Sequence, residues 1–163
     1  MVCPIPALVD AASFVAAANR LPDRDGKVRR TPLLVRLGEQ WAPSLVVGAL
    51  LAATGENQVI VQWSNAGVLD VRIGQTTIPT DHQGNLLLPY RTRPTERFEH
   101  ISAVDLLEGR VEAGRLQGKI VFLGSSASGL QDLHATPVMS ACPGVDLHAL
   151  ATDAVLRKDF FVE

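Results

Sequence analysis

Apolar residues follow two different periods along this chain of 163 residues. Between residues 59 and 91, short runs of β-branched and aromatic residues alternate with turn-forming Asn, Asp and Gly, which predicts an antiparallel β-meander. Residues 147–155 repeat an apolar position every three or four residues, which predicts a helix after Pro143-Gly144. Residues 6–19 are nearly all apolar and residues 41–53 are apolar on all sides, and each stretch predicts a buried helix.

Residues 119–124 (KIVFLG) are the centre of the predicted fold. This short apolar run is rich in β-branched and aromatic residues and ends at a glycine, which predicts a buried central strand. A polar loop and then the helix after Gly144 follow it. This strand, loop and helix predict an α/β fold with a mainly parallel core sheet flanked by helices, into which the antiparallel meander is inserted.

Composition limits the classes of partner. The net charge is −2 with both signs mixed, and phosphate backbones are bound by clustered Lys and Arg, so we expect no nucleic-acid partner. No apolar run is long enough for a membrane span, and the first residues lack the pattern of a signal peptide. The length predicts a single domain covering residues 1–163. For Cys3 and Cys142, both a disulfide and two small, partly buried apolar side chains agree with the sequence.

The loop after the predicted strand is the first place to expect a site, because ligands in open α/β sheets lie at the carboxyl ends of strands. If a small ligand binds, we expect Ser125, Ser126, Asp132 and Thr136 to shape its site. The alternative is that these side chains form hydrogen bonds that fix the loop.

Nucleotide binding is weakly supported. The segment GSSASG at residues 124–129 lacks the lysine of a phosphate-binding loop and the spacing of a dinucleotide fingerprint. The predicted helix also begins too late in the chain to direct its N-terminus at an anion held there. The arginines at 91, 93 and 97 form the only basic concentration, and we expect a solvated loop there rather than an anion site.

Two catalytic or metal arrangements remain as alternatives. Ser125 or Ser126, with Asp132 and either His134 or His148, would supply a triad, so a small serine hydrolase using loop 124–137 is possible on paper. The tripeptide Asp-Leu-His occurs twice, but residues two apart on a helix point about 200° from each other, so one ion cannot be bound by both. We therefore expect no metal, no cofactor and no catalytic residue.

Several spaced motifs resemble one known family. The run GKIVFLGSSASGLQDLHATP, followed by PGVDLHALATDAVL, resembles the carboxyl-terminal signature of the CHASE type-two domain. Upstream, PDRDGKVRRTPLL, PSLVVGAL and ISAVDLLEGR are similar to that family in the same order. The resemblance covers almost the whole chain.

The resemblance implies a sensor domain without catalytic activity of its own. It implies a position on the periplasmic or extracellular face of a bacterial membrane, between flanking spans, with an adenylate or diguanylate cyclase, histidine kinase or serine/threonine kinase inside the cell. It supplies no ligand, so the signal is an unknown small molecule or another extracellular cue. The strand and helix units that the family places before Met1 are absent here. We therefore expect an incomplete sheet with an uncovered edge, which would allow a homodimer or a pure dimerisation module.

Overall fold

The computed structural model describes residues 5–126 and 132–161. In these residues the helices are α1 (Pro6–Ala11), α2 (Leu45–Thr54), α3 (Pro94–Arg97), α4 (Ala103–Leu107) and α5 (Gly144–Arg157). The strands are β1 (Arg30–Pro32), β2 (Leu34–Leu37), β3 (Gln40–Pro43), β4 (Val59–Ser64), β5 (Gly67–Ile73), β6 (Thr76–Pro79), β7 (Asn85–Leu87), β8 (Leu133–His134) and β9 (Cys142–Pro143).

Helices α2 and α5 pack against each other at the centre of the molecule. The helix predicted at 41–53 is confirmed, but it begins at Leu45 because the Ser44 hydroxyl caps it by accepting the Val47 N–H. It ends where Gly55 adopts a left-handed conformation with φ of 72°. The helix predicted after Gly144 is also confirmed and runs for 14 residues. Its apolar face, repeating every three to four residues, lies in the core.

The predicted antiparallel meander is confirmed for its first three strands. β5 pairs with β4 on one side and β6 on the other, so that Val71 lies between Val61 and Ile78. The fourth predicted run forms β7, which leaves the meander and pairs with β1. Strands β2 and β3 form a hairpin, and β8 pairs with β9.

One cluster of apolar side chains fills the space between the α2–α5 pair and the strands. Burying such side chains is the main favourable contribution to folding, at roughly 25 cal/mol for each Å² removed from water. The fully buried members with the largest side chains are Leu33, Ile78, Leu86, Leu150, Val28, Val46, Val47 and Val71.

The prediction of a mainly parallel core sheet is wrong. Each of the four sheets in the described part of the chain is antiparallel. A single isolated bridge, between Ala17 and Ser44, is parallel. The error arose because an apolar run, a loop and a helix in sequence are typical of a parallel unit, whereas strand direction depends on which strands are available for pairing.

The predicted central strand at residues 119–124 is wrong as well. These residues belong to no sheet, and the side chains of Val121 and Leu123 are 56% and 86% exposed. Within residues 5–126 and 132–161, no backbone hydrogen bond joins residues 120–126 to any partner. Apolar β-forming residues make a buried strand only where neighbouring strands bind both edges, and this segment has none.

The prediction of a buried helix at 6–19 is only partly correct. α1 ends at Ala11 and has no buried residue. Beyond it, the chain extends alongside the start of α2, where the Ala17 N–H donates to the Pro43 carbonyl oxygen and the Leu45 N–H donates to the Ala17 carbonyl oxygen. This extended path brings Arg20 towards the start of α5.

Candidate functional site

The amino-terminal end of α5 is positioned by the chain segment that precedes it. The Gly144 N–H donates to the main-chain oxygen of Asp132 at 2.9 Å, and Leu133 pairs with Pro143 across β8 and β9. The short hairpin therefore returns the chain so that the predicted loop residue Asp132 lies directly beside the first turn of α5.

Arg20 and Asp132 form the charged centre of this site. Arg20 Nη1 donates to Asp132 Oδ1 at 2.9 Å, and the Arg20 side chain is only 10% exposed. His134 Nε2 lies 3.1 Å from both of these atoms. Arg20 and Asp132 lie directly against Gly144, where any Cβ atom would overlap with both side chains. A glycine at this position therefore allows the pair to approach the helix.

The backbone directly before the serines of the predicted loop lies against the same turn. A Cβ atom on Gly124 would come within 2.7 Å of Val145 Cβ, so the backbone at residue 124 packs directly on α5. Gly124 therefore lies beside the first turn of α5, because the β8–β9 hairpin returns the chain to it. Residues 127–129 lie outside the described residues, so the expectation about an anion held in this segment stays a prediction. Ser125 is half-buried, and its Oγ has no hydrogen-bond partner among the described residues. Ser126 is exposed.

Thr136 has a different role in the structure. Its side chain is buried, its hydroxyl donates to the Met139 carbonyl oxygen at 3.1 Å, and it accepts the Met139 N–H at 3.0 Å. These bonds close a turn and use the hydroxyl fully. The geometry thus brings Ser125 and Asp132 to the start of α5, whereas Thr136 fixes the loop.

His148 forms the inner wall of the site. Its ring stacks on Phe122 with centroids 6.4 Å apart, and the residue is only 4% exposed. Its Nε2 has no hydrogen-bond partner in the described part of the chain. Burial, with a smaller contribution from the Arg20 charge, lowers the pKa of His148 from 6.5 to about 4. The imidazole is therefore neutral near pH 7.

Asp146 occupies another face of α5 and binds a different histidine. Its Oδ1 lies 2.8 Å from His100 Nε2, the carboxylate is almost fully buried, and Oδ2 has no partner among the described residues. The prediction that Asp146 and His148 point to different surroundings is confirmed by these contacts. No group of three or more metal-ligating side chains with suitable geometry occurs in residues 5–126 and 132–161.

The serine triad is not assembled in this geometry. Asp132 and His134 are in contact, but Ser125 Oγ donates to no described histidine, and His134 Nε2 is already within reach of Arg20. A general base must lie within about 3 Å of the hydroxyl whose proton it takes. The arrangement offers hydrogen-bond donors and acceptors for a small polar species rather than an activated nucleophile.

Other charged candidates from the sequence are paired within the chain. Arg91 pairs with Asp159, Arg97 with Asp153 and Arg93 with Glu96. The prediction of a solvated loop is correct for Arg91 and Arg93, whose side chains are 54% and 62% exposed, but Arg97 is the last residue of helix α3 and is only 20% exposed. Cys142 is a buried free thiol, and burial raises its pKa to about 12, whereas Cys3 lies outside the described residues.

Two surface cavities lie away from loop 124–137. Their volumes are about 200 and 320 Å³, and both are lined by Arg30, Asp81 and Asn85. The Asp81 carboxylate already accepts hydrogen bonds from the Gln83 and Asn85 backbone and from the Asn85 amide. These polar groups therefore hold the turn at 81–85 together.

Sequence reasoning missed Arg20, which is the cation of the site. It lies 112 positions before Asp132, and nothing in the surrounding turn-forming residues indicates a long-range partner. The resemblance motifs also begin after it, at Pro22.

The chain was compared with known protein families, curated sequences and solved structures. The family model of the CHASE2 domain matches residues 4–163, which is essentially the whole chain. No curated protein sequence and no solved structure matches significantly. CHASE2 domains are sensory domains that in general lie outside the cytoplasm, in the periplasm or the extracellular space. In the described residues, no helix has the length and apolar content needed to cross a bilayer. Because the match extends over nearly every residue, the chain belongs to the CHASE2 family of sensory domains.

Proposed function

We propose that this chain is the extracytoplasmic sensor domain of a bacterial transmembrane signalling protein, in which it regulates a cytoplasmic nucleotide cyclase or kinase. The observation that carries the proposal is the family match over residues 4–163. A sensory domain needs an output, and flanking membrane spans would connect it to one inside the cell. The domain itself then contributes recognition and conformational change, and no chemistry.

The signal is received at the start of α5, at the surface formed by Arg20, Ser125, Asp132, His134 and His148, which we name the α5 site. Buried atoms there lack partners among the described residues, namely Arg20 Nε, Ser125 Oγ and His148 Nε2. An unsatisfied buried polar group costs about 1–3 kcal/mol, so a small polar species that bonds to these atoms stabilises the site.

Sequencing the gene on both sides of the region that encodes this chain tests the signalling role. Continued in both directions, its reading frame should encode a membrane span before the domain, further spans after it and a cyclase or kinase domain on the cytoplasmic side. A frame that encodes neither spans nor an output domain would contradict the proposal.

Thermal unfolding tests the position of the site. Individual amino acids, dicarboxylates and monosaccharides at millimolar concentration serve as probes, and one of them should raise the melting temperature of the parent chain. A Ser125→Ala, Asp132→Asn double variant should lose that rise, whereas Glu96→Gln, in an exposed pair, should keep it. An equal rise in the parent and the double variant would place the binding site elsewhere.

A second candidate function, dimerisation through residues 119–124, is favoured by the exposure of Val121 and Leu123 and by the backbone of residues 120–124, which has no hydrogen bond to another described residue. Two copies of an exposed apolar segment can pair edge to edge about a two-fold axis. Sedimentation of the parent chain at increasing concentration should then show a dimer. A Val121→Lys, Leu123→Lys variant should remain monomeric, and Leu107→Lys, on α4 and 85% exposed, should behave as the parent does. A parent chain that stays monomeric at every concentration would contradict this function.

A further inference from the structure

Three of the four histidines of the chain gather around the first turns of α5. His148 lies on the helix itself, His134 is in β8, and His100 belongs to the segment before α4. Each of His100 and His134 contacts a carboxylate, at 2.8 Å and 3.1 Å respectively. Histidine is the side chain that ordinarily changes charge between about pH 5 and 8, and two of these three histidines contact a carboxylate beside the start of the helix.

The geometry at His134 makes its two contacts alternatives. Its Nε2 lies 3.1 Å from Arg20 Nη1 and 3.1 Å from Asp132 Oδ1. A guanidinium only donates and an ionised carboxylate only accepts. Nε2 without a proton therefore accepts from Arg20, whereas Nε2 with a proton donates to Asp132. If both ring nitrogens are protonated, the imidazolium also repels the guanidinium.

At His100, a proton strengthens the contact instead of weakening it, because the partner of this histidine is a carboxylate. Asp146 is 3% exposed, and His100 is its one hydrogen-bond partner in the described residues. A buried carboxylate requires a compensating charge, and a protonated His100 supplies it. The His100 side chain is 48% exposed, so protons reach it from solvent.

The other charged groups near these histidines are accounted for. His134 contacts Arg20 and Asp132, and the charges of these three residues act on the pKa of His148. Next to His100, Glu99 is paired with Arg115 and Lys119. Further along α5, Asp153 binds Arg97 of α3 and Arg157. The Cys142 thiol, near Asp146, stays protonated because burial raises its pKa to about 12.

We infer that the α5 site senses acidification, because a proton taken up at His134 removes one of the two acceptors of Arg20 Nη1 and leaves Asp132 alone to hold it, while a proton taken up at His100 strengthens the bond to Asp146. On acidification the link between the start of α5 and the segment at residue 20 thus weakens, and the link to the segment at residue 100 becomes stronger. This inference rests on the proposed sensory function and names the proton as the class of signal. A two-state element biased by histidine protonation is a known form of switch.

Nuclear magnetic resonance of the full chain between pH 8 and 5 tests the inference. The ring signals of His134 and His100 should titrate, and the backbone amides of Arg20, Gly144 and Val145 should shift with the same midpoint as the His134 ring. In His134→Gln, the pH-dependent shift at Arg20 and Gly144 should be lost. The matched control is His82→Gln, an exposed histidine outside the site, which should keep it.

Two outcomes would overturn the inference. One is a titration of His134 that leaves the Arg20 and Gly144 amides unchanged, and the other is an Arg20 shift that persists in His134→Gln. Because His134→Gln keeps a polar side chain of similar reach, amide spectra at pH 8 that match those of the parent verify that the variant is folded. Either outcome leaves the reading-frame test of the sensory function unaffected, so the failure of one proposal is distinguishable from the failure of the other.

Discussion

Arg20 contributes a charge that is only 10% exposed, and Asp132 is the carboxylate that neutralises it. Asp132→Asn keeps the shape of the side chain and removes its charge, so we expect a loss of about 1–2 kcal/mol in the free energy of unfolding. This is less than the penalty for breaking a fully buried pair, because Asp132 is itself 35% exposed to water. Urea denaturation with an unchanged m-value measures it.

The matched control for this variant is Glu96→Gln. Glu96 and Arg93 are both 62% exposed in their ion pair, and pairs of this kind contribute little to stability. Equal denaturation midpoints for Asp132→Asn and the parent would show that Arg20 is not held by this carboxylate.

The lowered pKa of the buried His148 predicts that the protein loses stability in acid. Its pKa is 6.5 when unfolded and about 4 when folded, so between these values the unfolded chain binds a proton that the native chain does not. The free energy of unfolding should therefore fall as the pH drops from about 6.5 to about 4, by about 3 kcal/mol in total, and this contribution should not change further below pH 4.

Comparison with His148→Phe isolates this effect. The phenyl ring retains the stacking on Phe122 and cannot be protonated. As the pH falls from about 6.5 to about 4, the unfolding free energy of the parent should therefore decrease relative to that of the variant. His82→Phe, which changes an exposed histidine, should preserve the slope. A parent chain whose stability is flat from pH 6.5 to 4 would contradict a buried neutral imidazole.

At the residue level, the sequence indicated some residues of the candidate site but not the contacts that they make. Asp132 and Ser125 were predicted because they follow an apolar run, and both lie at the start of α5. Thr136 was predicted by the same reasoning, yet its hydroxyl closes a turn. Arg20 was missed since a partner 112 positions away leaves no local pattern.

At the level of elements, α2 and α5 are the parts that the sequence predicted best. Both carry local information at their ends, a serine cap with a glycine stop in α2 and the Pro143-Gly144 start of α5. The meander was predictable for a similar reason, since its turns are short and its pairing is between neighbours in sequence. The segment at 119–124 failed because its state depends on partners that no local pattern describes.

The contact between α2 and α5 leads to a prediction about packing. Leu150 is 1% exposed on the face of α5 within the core, so Leu150→Ala should lower the free energy of unfolding by about 2–5 kcal/mol through lost burial and a residual cavity. Leu156→Ala on the same helix changes a side chain that is 53% exposed and should cost less than about 0.5 kcal/mol. Chemical denaturation of both variants measures the difference, and equal losses would contradict the packing.

At the level of the whole molecule, stability is unevenly distributed. The buried apolar cluster joins α2, α5 and strands β5 to β7. Neither α1 nor α4 has a buried residue, and residues 120–126 lack backbone hydrogen bonds in the described part of the chain. Regions with few buried contacts open at a low free-energy cost, while the core opens only by global unfolding.

Hydrogen exchange of backbone amides tests this distribution. Amides in α2 and α5 should exchange slowest, with protection close to the global unfolding free energy, and amides at 120–126 should exchange almost as fast as in an unfolded peptide. Concentration separates the alternatives for residues 119–124. If a second copy pairs with this segment, its amides become hydrogen-bonded, so their protection should rise with protein concentration while that of α2 stays constant. Strong protection of 119–124 at the lowest concentration would mean that the chain itself covers this edge, and both the exposed segment and the dimerisation function would then be wrong.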